Sequence, residues 1–165
     1  MGENYSIRQI LNDVELEECT DIICRAFMTV AQDFNITREN CPSYASFRTA
    51  EQIRSLKEDG FLLYSLFDNE ERVGFVCFKE AEKGVYLLGL LSVLPEYRHS
   101  GYGRKLLDFV CDYIKAVQGH KVKIWIMNEN TVLKNWYINY GFVETGIRKS
   151  TDMPFTICDM EKDVI

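Results

Sequence analysis

The sequence predicts a mixed α+β fold, a mainly antiparallel central sheet flanked by helices, in the order β-α-α-β-β-β-α-β-α-β-β. Three observations lead there. Turn segments at 68–71 and 80–84 separate apolar runs of strand length, so the strands around them pair as antiparallel hairpins. Between 87 and 127 a strand, a glycine-bearing turn, an amphipathic helix and another strand follow one another, a crossover that makes those two strands parallel. Elsewhere apolar residues recur at helical spacing in segments bounded by capping residues.

In chain order, Tyr5 to Ile10 reads as the first strand. Asp13 is placed to cap a helix in which Leu16, Cys19, Ile23, Phe27 and Val30 share a face, and which runs out near Asp33. Residues 34–47 (FNITRENCPSYASF) read as a loop or broken helix. Thr49 with Gln52 makes a capping box for a second helix ending at Gly60. Phe61 to Phe67 and Arg72 to Lys79 are the next strands. Leu87 to Leu94 is a continuous apolar run suited to a strand buried on both faces, and Pro95 stops it because proline has no N–H to donate. After Gly103 the period becomes helical: Leu106, Leu107, Val110, Ile114 and Val117 fall on one face, and Arg104, Lys105, Asp108, Asp112 and Lys115 on the other. Gly119 marks the end of that helix. Lys121 to Met127 alternates Val122, Ile124 and Ile126 against Lys121, Lys123 and Trp125, a strand with one wetter face. Asn128 to Asn130 leads into a short helix, Thr131 to Tyr140, closed by Gly141. Phe142 to Lys149 and Phe155 to Lys162 are the last strands. No repeat, low-complexity stretch or linker interrupts the chain, which reads as a single domain over 1–165.

At 165 residues and 47% hydrophobic, the chain can bury the core of one domain. A net charge of −6 argues against a nucleic-acid surface, which needs a basic stripe, and is compatible with a cationic substrate. The polar start (Met1 to Ser6) has no signal peptide, and no apolar run approaches the about 18 residues of a membrane span. The expectation is a soluble cytoplasmic protein without a membrane partner. Six cysteines form no Cys-x-x-Cys, and only His99 and His120 could join them, so no metal site is expected. Cys19, Cys77, Cys111 and Cys158 sit in apolar periodic segments and read as buried, reduced thiols.

The stretch from Leu87 to Val110 organises the rest. The free N–H groups at the start of a helix, with the macrodipole behind them, make an anion site, and glycines let a phosphate approach the backbone. A dinucleotide fingerprint does not fit: Pro95 to Ser100 separate the strand from Gly101, and Leu106 occupies the third glycine position. A Walker A loop lacks its Gly-Lys-Ser/Thr.

The segment Val93-Leu94-Pro95-Glu96-Tyr97-Arg98-His99-Ser100-Gly101-Tyr102-Gly103 resembles, at every position, the acetyl-CoA signature of the GNAT superfamily of N-acetyltransferases. A second segment, Asn130 to Phe142 (NTVLKNWYINYGF), matches the family pattern at Asn130, Tyr137, Gly141 and Phe142. It departs at Leu133, where alanine is common, and at Trp136, where leucine is. The element order also matches, so the resemblance covers nearly the whole chain.

The resemblance implies acetyl-CoA as co-substrate and transfer of its acetyl group to a primary amine by direct attack. It implies phosphate binding by backbone N–H groups of Arg98, His99, Ser100, Gly101, Tyr102, Gly103 and Arg104, with the Arg104 side chain adding charge. The central strand splays from its neighbour in this family, so amides around Leu91 and Val93 would face the cofactor. Asn130 would contact the cofactor and Tyr137 would act as general acid for the leaving thiolate. An ammonium acceptor, with a pKa of about 10.4 if a lysine, must first lose a proton. Many relatives carry a glutamate on the central strand for this. Here Leu88-Gly89-Leu90-Leu91 holds no carboxylate, Glu80 and Glu82 read equally as turn residues, and no base is named. The acceptor, a small-molecule or peptide amine, would lie between 34–47 and 150–155, with Asp33, Glu39, Tyr44 and Asp152 as candidate contacts. Family habit allows a homodimer. Plainer readings stand beside these: Asn130 as a helix N-cap, Tyr137 as a core tyrosine, Arg98 as a surface arginine. An acyl-CoA-binding module without turnover is the alternative function, and a nucleotide-binding protein is disfavoured by the loop length.

Overall fold

The computed structural model describes residues 4–165; the first three residues of the polar start lie outside the described residues. Strand β1 (Tyr5–Gln9) leads to α1 (Asp13–Asp33) and, after a 3-10 turn at Ala45–Phe47, to α2 (Ala50–Glu58). Then come β2 (Leu62–Asp68), β3 (Glu71–Glu82) and β4 (Val85–Val93), a 3-10 turn at Pro95–Tyr97, and α3 (Tyr102–Ala116). The chain closes with β5 (Lys121–Met127), α4 (Thr131–Tyr140), β6 (Val143–Lys149) and β7 (Thr156–Asp163). This is the expected α+β order.

Several boundaries move for physical reasons. Asn12, not Asp13, caps α1: its backbone is extended and its side chain accepts the Glu15 N–H at 3.0 Å. Asp13 becomes the first helical residue, where a carboxylate suits the positive end of the dipole. The capping box of Thr49 and Gln52 forms as read. β3 runs on to Glu82 because the Glu80 carboxylate accepts the Gly84 N–H at 2.8 Å, which tightens the hairpin around a left-handed Gly84 (φ 75°). Val117 is the C-cap of α3 and stays 46% exposed, while Cys111 is buried as read.

The seven-stranded sheet has the order β1-β2-β3-β4-β5-β7-β6. Every neighbouring pair is antiparallel except β4 and β5. Helices α3 and α4 cover one face through Leu106, Leu107, Val110, Ile114 and Tyr137, packed on Val76, Phe78, Leu88, Val122 and Ile124. Helices α1 and α2 cover the other through Leu16, Cys19, Ile23 and Ile53, packed on Leu63, Phe75 and Cys77. A third cluster joins the end of α1 and the following loop to Met127, Phe155 and Ile157.

The feature that positions the site is where β4 and β5 stop pairing. Their ladder covers only Val85–Leu87 against Lys121–Lys123, although β4 runs on to Val93 and β5 to Met127. From Leu88 onward the β5-facing edge of β4 is therefore open, while β5 stays bonded to β7 along its full length.

Candidate active site

Along that open edge the backbone direction follows from the ladder with β3. Leu94 donates its N–H to the Val73 carbonyl at 2.9 Å, and Val93 faces Gly74. Since alternate residues of an antiparallel strand bond to one side, Val93 directs its N–H away from β3, into the gap left by β5. Leu91, next to the β3-paired Ser92, lies on the same stretch of open edge.

The ladder is interrupted between Phe75/Ser92 and Cys77/Gly89, so Leu90 and Leu91 together oppose Val76 in a β-bulge. Leu90 takes a left-handed conformation (φ 51°), which a leucine holds at a cost of about 1–2 kcal/mol. The bulge reverses the alternation, so that Leu90 packs with the α1–α2 core and Leu91 with the α3–α4 core.

The strand then enters the turn at Pro95–Tyr97. The Arg98 N–H is already used there, bonded to the Pro95 carbonyl at 3.3 Å, so the free run of amides begins one residue later than read. The Arg98 guanidinium is also occupied: it donates to Thr29 Oγ1 at 2.9 Å and to the Ala26 carbonyl at 2.7 Å, both on α1. Burial holds it below its ordinary pKa, against the pull of Asp33 and Glu96. Arg98 is thus neither a surface arginine nor a free cation, but the tie between turn and helix.

His99 (φ 63°) and Gly101 (φ 81°) are both left-handed, and His99 is exposed. Gly101 caps α3 without any side-chain bond, whereas Asn12, Thr49 and Asn130 cap α1, α2 and α4 with theirs. A β-carbon at Gly101 would meet nothing within 4 Å. The N–H groups of Tyr102, Gly103 and Arg104, at the start of α3, are therefore left without a capping side chain. The Tyr102 ring turns inward and its hydroxyl bonds Asp68, while Arg104 lies over the Tyr140 ring at 5.4 Å. The arrangement fits an extended group with a phosphate at one end and a carbonyl at the other.

Helix α4 closes the far side. Asn130 is its N-cap, with its side-chain oxygen accepting the Leu133 N–H at 3.2 Å. Tyr137 is 5% exposed, edge-on to Trp136 and Phe142 at 4.9 and 5.3 Å. Burial alone pushes its hydroxyl above the ordinary tyrosine pKa, so it stays protonated. Gly103 lies between the Trp136 ring and the Leu91 side chain.

The model of the acetyltransferase (GNAT) family matches residues 18–142, from within α1 to the residue before β6. The chain belongs to the GNAT acetyltransferase family. It is an acyltransferase with acetyl-CoA as its co-substrate. An uncharacterized N-acetyltransferase of Schizosaccharomyces pombe is 29% identical over 123 residues, covering 71% of this chain and 83% of that one. Among solved structures, a ribosomal-protein alanine N-acetyltransferase from Escherichia coli superimposes with a TM-score of 0.76 at 19% identity, covering 97% and 94% of the two chains. The PaiA N-acetyltransferase of Thermoplasma acidophilum, solved in complex with coenzyme A, gives 0.72 at 20% identity over 97% and 99%. At such identities the likeness establishes the shared fold.

In the loop after α1 of this GNAT chain, Tyr44 packs edge-on against Phe27, Phe47 and Phe155 at 5.9, 6.5 and 6.2 Å, and burial pushes its hydroxyl pKa up. It ties the loop after α1 to the loop before β7. Asp33, Glu39 and Asp152 are exposed and not drawn into that cluster. Glu80 is engaged at its turn and Glu82 is exposed. Sequence reasoning missed the bulge, because no residue type marks a left-handed leucine. It also missed Glu129, whose carboxylate accepts from Thr156 N–H and Oγ1 at 3.0 and 2.6 Å and holds the end of β5 to the start of β7.

Proposed function

We propose that this single-domain enzyme transfers the acetyl group of acetyl-CoA to a primary amine by direct attack, without a covalent enzyme intermediate. The observation that carries the reading is the parting of β4 from β5 beside the uncapped start of α3. The amides from His99 to Arg104 hold the phosphates, with Arg104 contributing charge. The N–H groups of Leu91 and Val93 receive the thioester carbonyl and the negative charge that grows on it. Tyr137, kept protonated by burial, supplies the proton to the departing sulfur. Asn130 contacts the pantetheine side with the part of its amide not spent on the helix cap.

The acceptor is a small-molecule or peptide amine that enters between the loop after α1 and the loop before β7. It attacks as the neutral amine, and because position 89 is glycine and offers no carboxylate to deprotonate an ammonium, it is drawn from the fraction already neutral. All six cysteines are free, which supports a reducing, cytoplasmic setting, and no helix among the described residues is long and apolar enough to cross a membrane.

Calorimetric titration with acetyl-CoA, CoA and NAD in parallel tests the reading. Micromolar binding of acetyl-CoA with none of NAD supports it, and an amine screen for release of free CoA then identifies acceptors. Tight binding without CoA release across that screen would leave a binding module in its place.

A further inference from the structure

The bulge in β4 is held by side chains that the family signature does not include. Leu90 is the one described residue inside a strand with a left-handed backbone other than glycine. Its carbonyl accepts a 2.8 Å bond from the Ser92 hydroxyl, and the preceding Gly89 carbonyl lies 3.3 Å from Cys77 Sγ. Ser92 is 2% exposed, one of few buried polar side chains in the core. A buried hydroxyl there is unfavourable unless bonded, and its bond goes to the carbonyl that the bulge has pulled out of the ladder. The Cys77 thiol, pushed up to about 12 by burial, stays a neutral donor at its carbonyl.

The geometry points to Ser92 as a positioning residue for the acetyl group. Its hydroxyl clamps the Leu90 carbonyl, and the clamp sets the direction in which the adjoining Leu91 N–H projects into the gap between β4 and β5. The inference rests on the proposed binding of the thioester carbonyl by that edge. Removing the hydroxyl lets Leu90 leave its left-handed conformation, which returns the strand toward regular alternation and swings the Leu91 amide out of line. The loop that holds the phosphates, eight and more residues further on, is untouched. The clamp therefore acts on the acetyl end of the ligand and on the transition state, not on the CoA body.

The test compares wild type, Ser92→Ala, Leu90→Gly and Leu90→Gly/Ser92→Ala. Each is titrated with acetyl-CoA and with CoA, and kcat and KM are measured for an acceptor from the screen. Circular dichroism checks the fold. Ser92→Ala is expected to lower kcat about tenfold and to shrink the affinity ratio of acetyl-CoA to CoA, with CoA affinity unchanged. Glycine adopts the left-handed conformation unaided, so in the Leu90→Gly background removing the hydroxyl is expected to change neither quantity. Loss of CoA and acetyl-CoA affinity together, an unchanged ratio, or an equal effect of Ser92→Ala in both backgrounds would overturn the assignment. If Ser92→Ala does not fold, the Leu90→Gly pair decides: any loss of the ratio on adding Ser92→Ala there counts against the clamp. Failure of wild type to bind either ligand would instead refute the underlying site.

Discussion

The indole of Trp136 lies against Gly103: a β-carbon on that glycine would come within 3.2 Å of Trp136 Cζ2 and 3.9 Å of Leu91 Cδ2. The large residue on α4 and the missing side chain on α3 are thus one packing solution. Gly103→Ala forces the ring to give by a few tenths of an ångström next to the gap. Acetyl-CoA affinity should fall about three- to tenfold, even though alanine favours the helix. Trp136→Leu should restore it in the double variant, as calorimetry would show. Equal losses in both backgrounds would mean that the pair is not coupled.

Gly101 is constrained by conformation rather than space. With φ at 81° and nothing within 4 Å of its missing side chain, an added Cβ meets strain but no clash. Gly101→Asn, which tolerates that region, should keep most acetyl-CoA binding. Gly101→Glu places a negative charge at the start of α3 and should weaken binding at least about tenfold, with the loss shrinking in high salt.

Tyr137→Phe removes one hydroxyl from a buried, well-packed ring. We expect kcat to fall about 10²-fold with acetyl-CoA affinity unchanged. The pH profile carries a second expectation. Because burial raises the Tyr137 pKa above its ordinary value near 10, the acid form persists throughout the working range. The wild-type rate should climb as the acceptor ammonium loses its proton, without an alkaline decline below pH 10. A decline between pH 7 and 9 would remove Tyr137 from the acid role.

Arg98→Met deletes two charge-assisted hydrogen bonds to α1, at Thr29 and Ala26. Urea unfolding should show a loss of about 1.5–3 kcal/mol, and Thr29→Ala a smaller part of it. The salt dependence of acetyl-CoA binding should stay as in wild type, because the guanidinium is not at the phosphate. A flatter salt slope in Arg98→Met would place that charge at the ligand after all.

Much of the fold was legible because its signals are local. The capping box at Thr49, the alternation of Lys121 to Met127, and the helix from Thr131 closed by Gly141 depend on neighbours within a few residues, and each formed where read. The errors lie at junctions. Asn12 and Asp13 are both competent caps, and the choice between them is made by which residue takes the extended backbone. Val117 continues the helical period of α3, yet the helix ends before it and Gly119 folds back on Ile114, with its N–H on the Ile114 carbonyl at 2.8 Å.

The sequence by itself determined the family: the run from Val93 to Gly103 carries proline, arginine and two glycines in the family's order, between a strand and a helix. It also determined the element order, through hydrophobic periods that each strand and helix expresses alone. The tertiary structure decided what those elements could not express alone. It turned Arg98 onto α1, since a guanidinium finds its acceptors on whichever helix packs nearby. It set Trp136 against Gly103, a contact between residues 33 positions apart that no local pattern encodes. It opened β4 from β5 after Leu87, where their ladder stops although both strands run on and β5 keeps its pairing with β7 on the other edge. Backbone direction at an open edge depends on ladder pairing across the whole sheet, and so the amides that face the gap are a property of the assembled sheet.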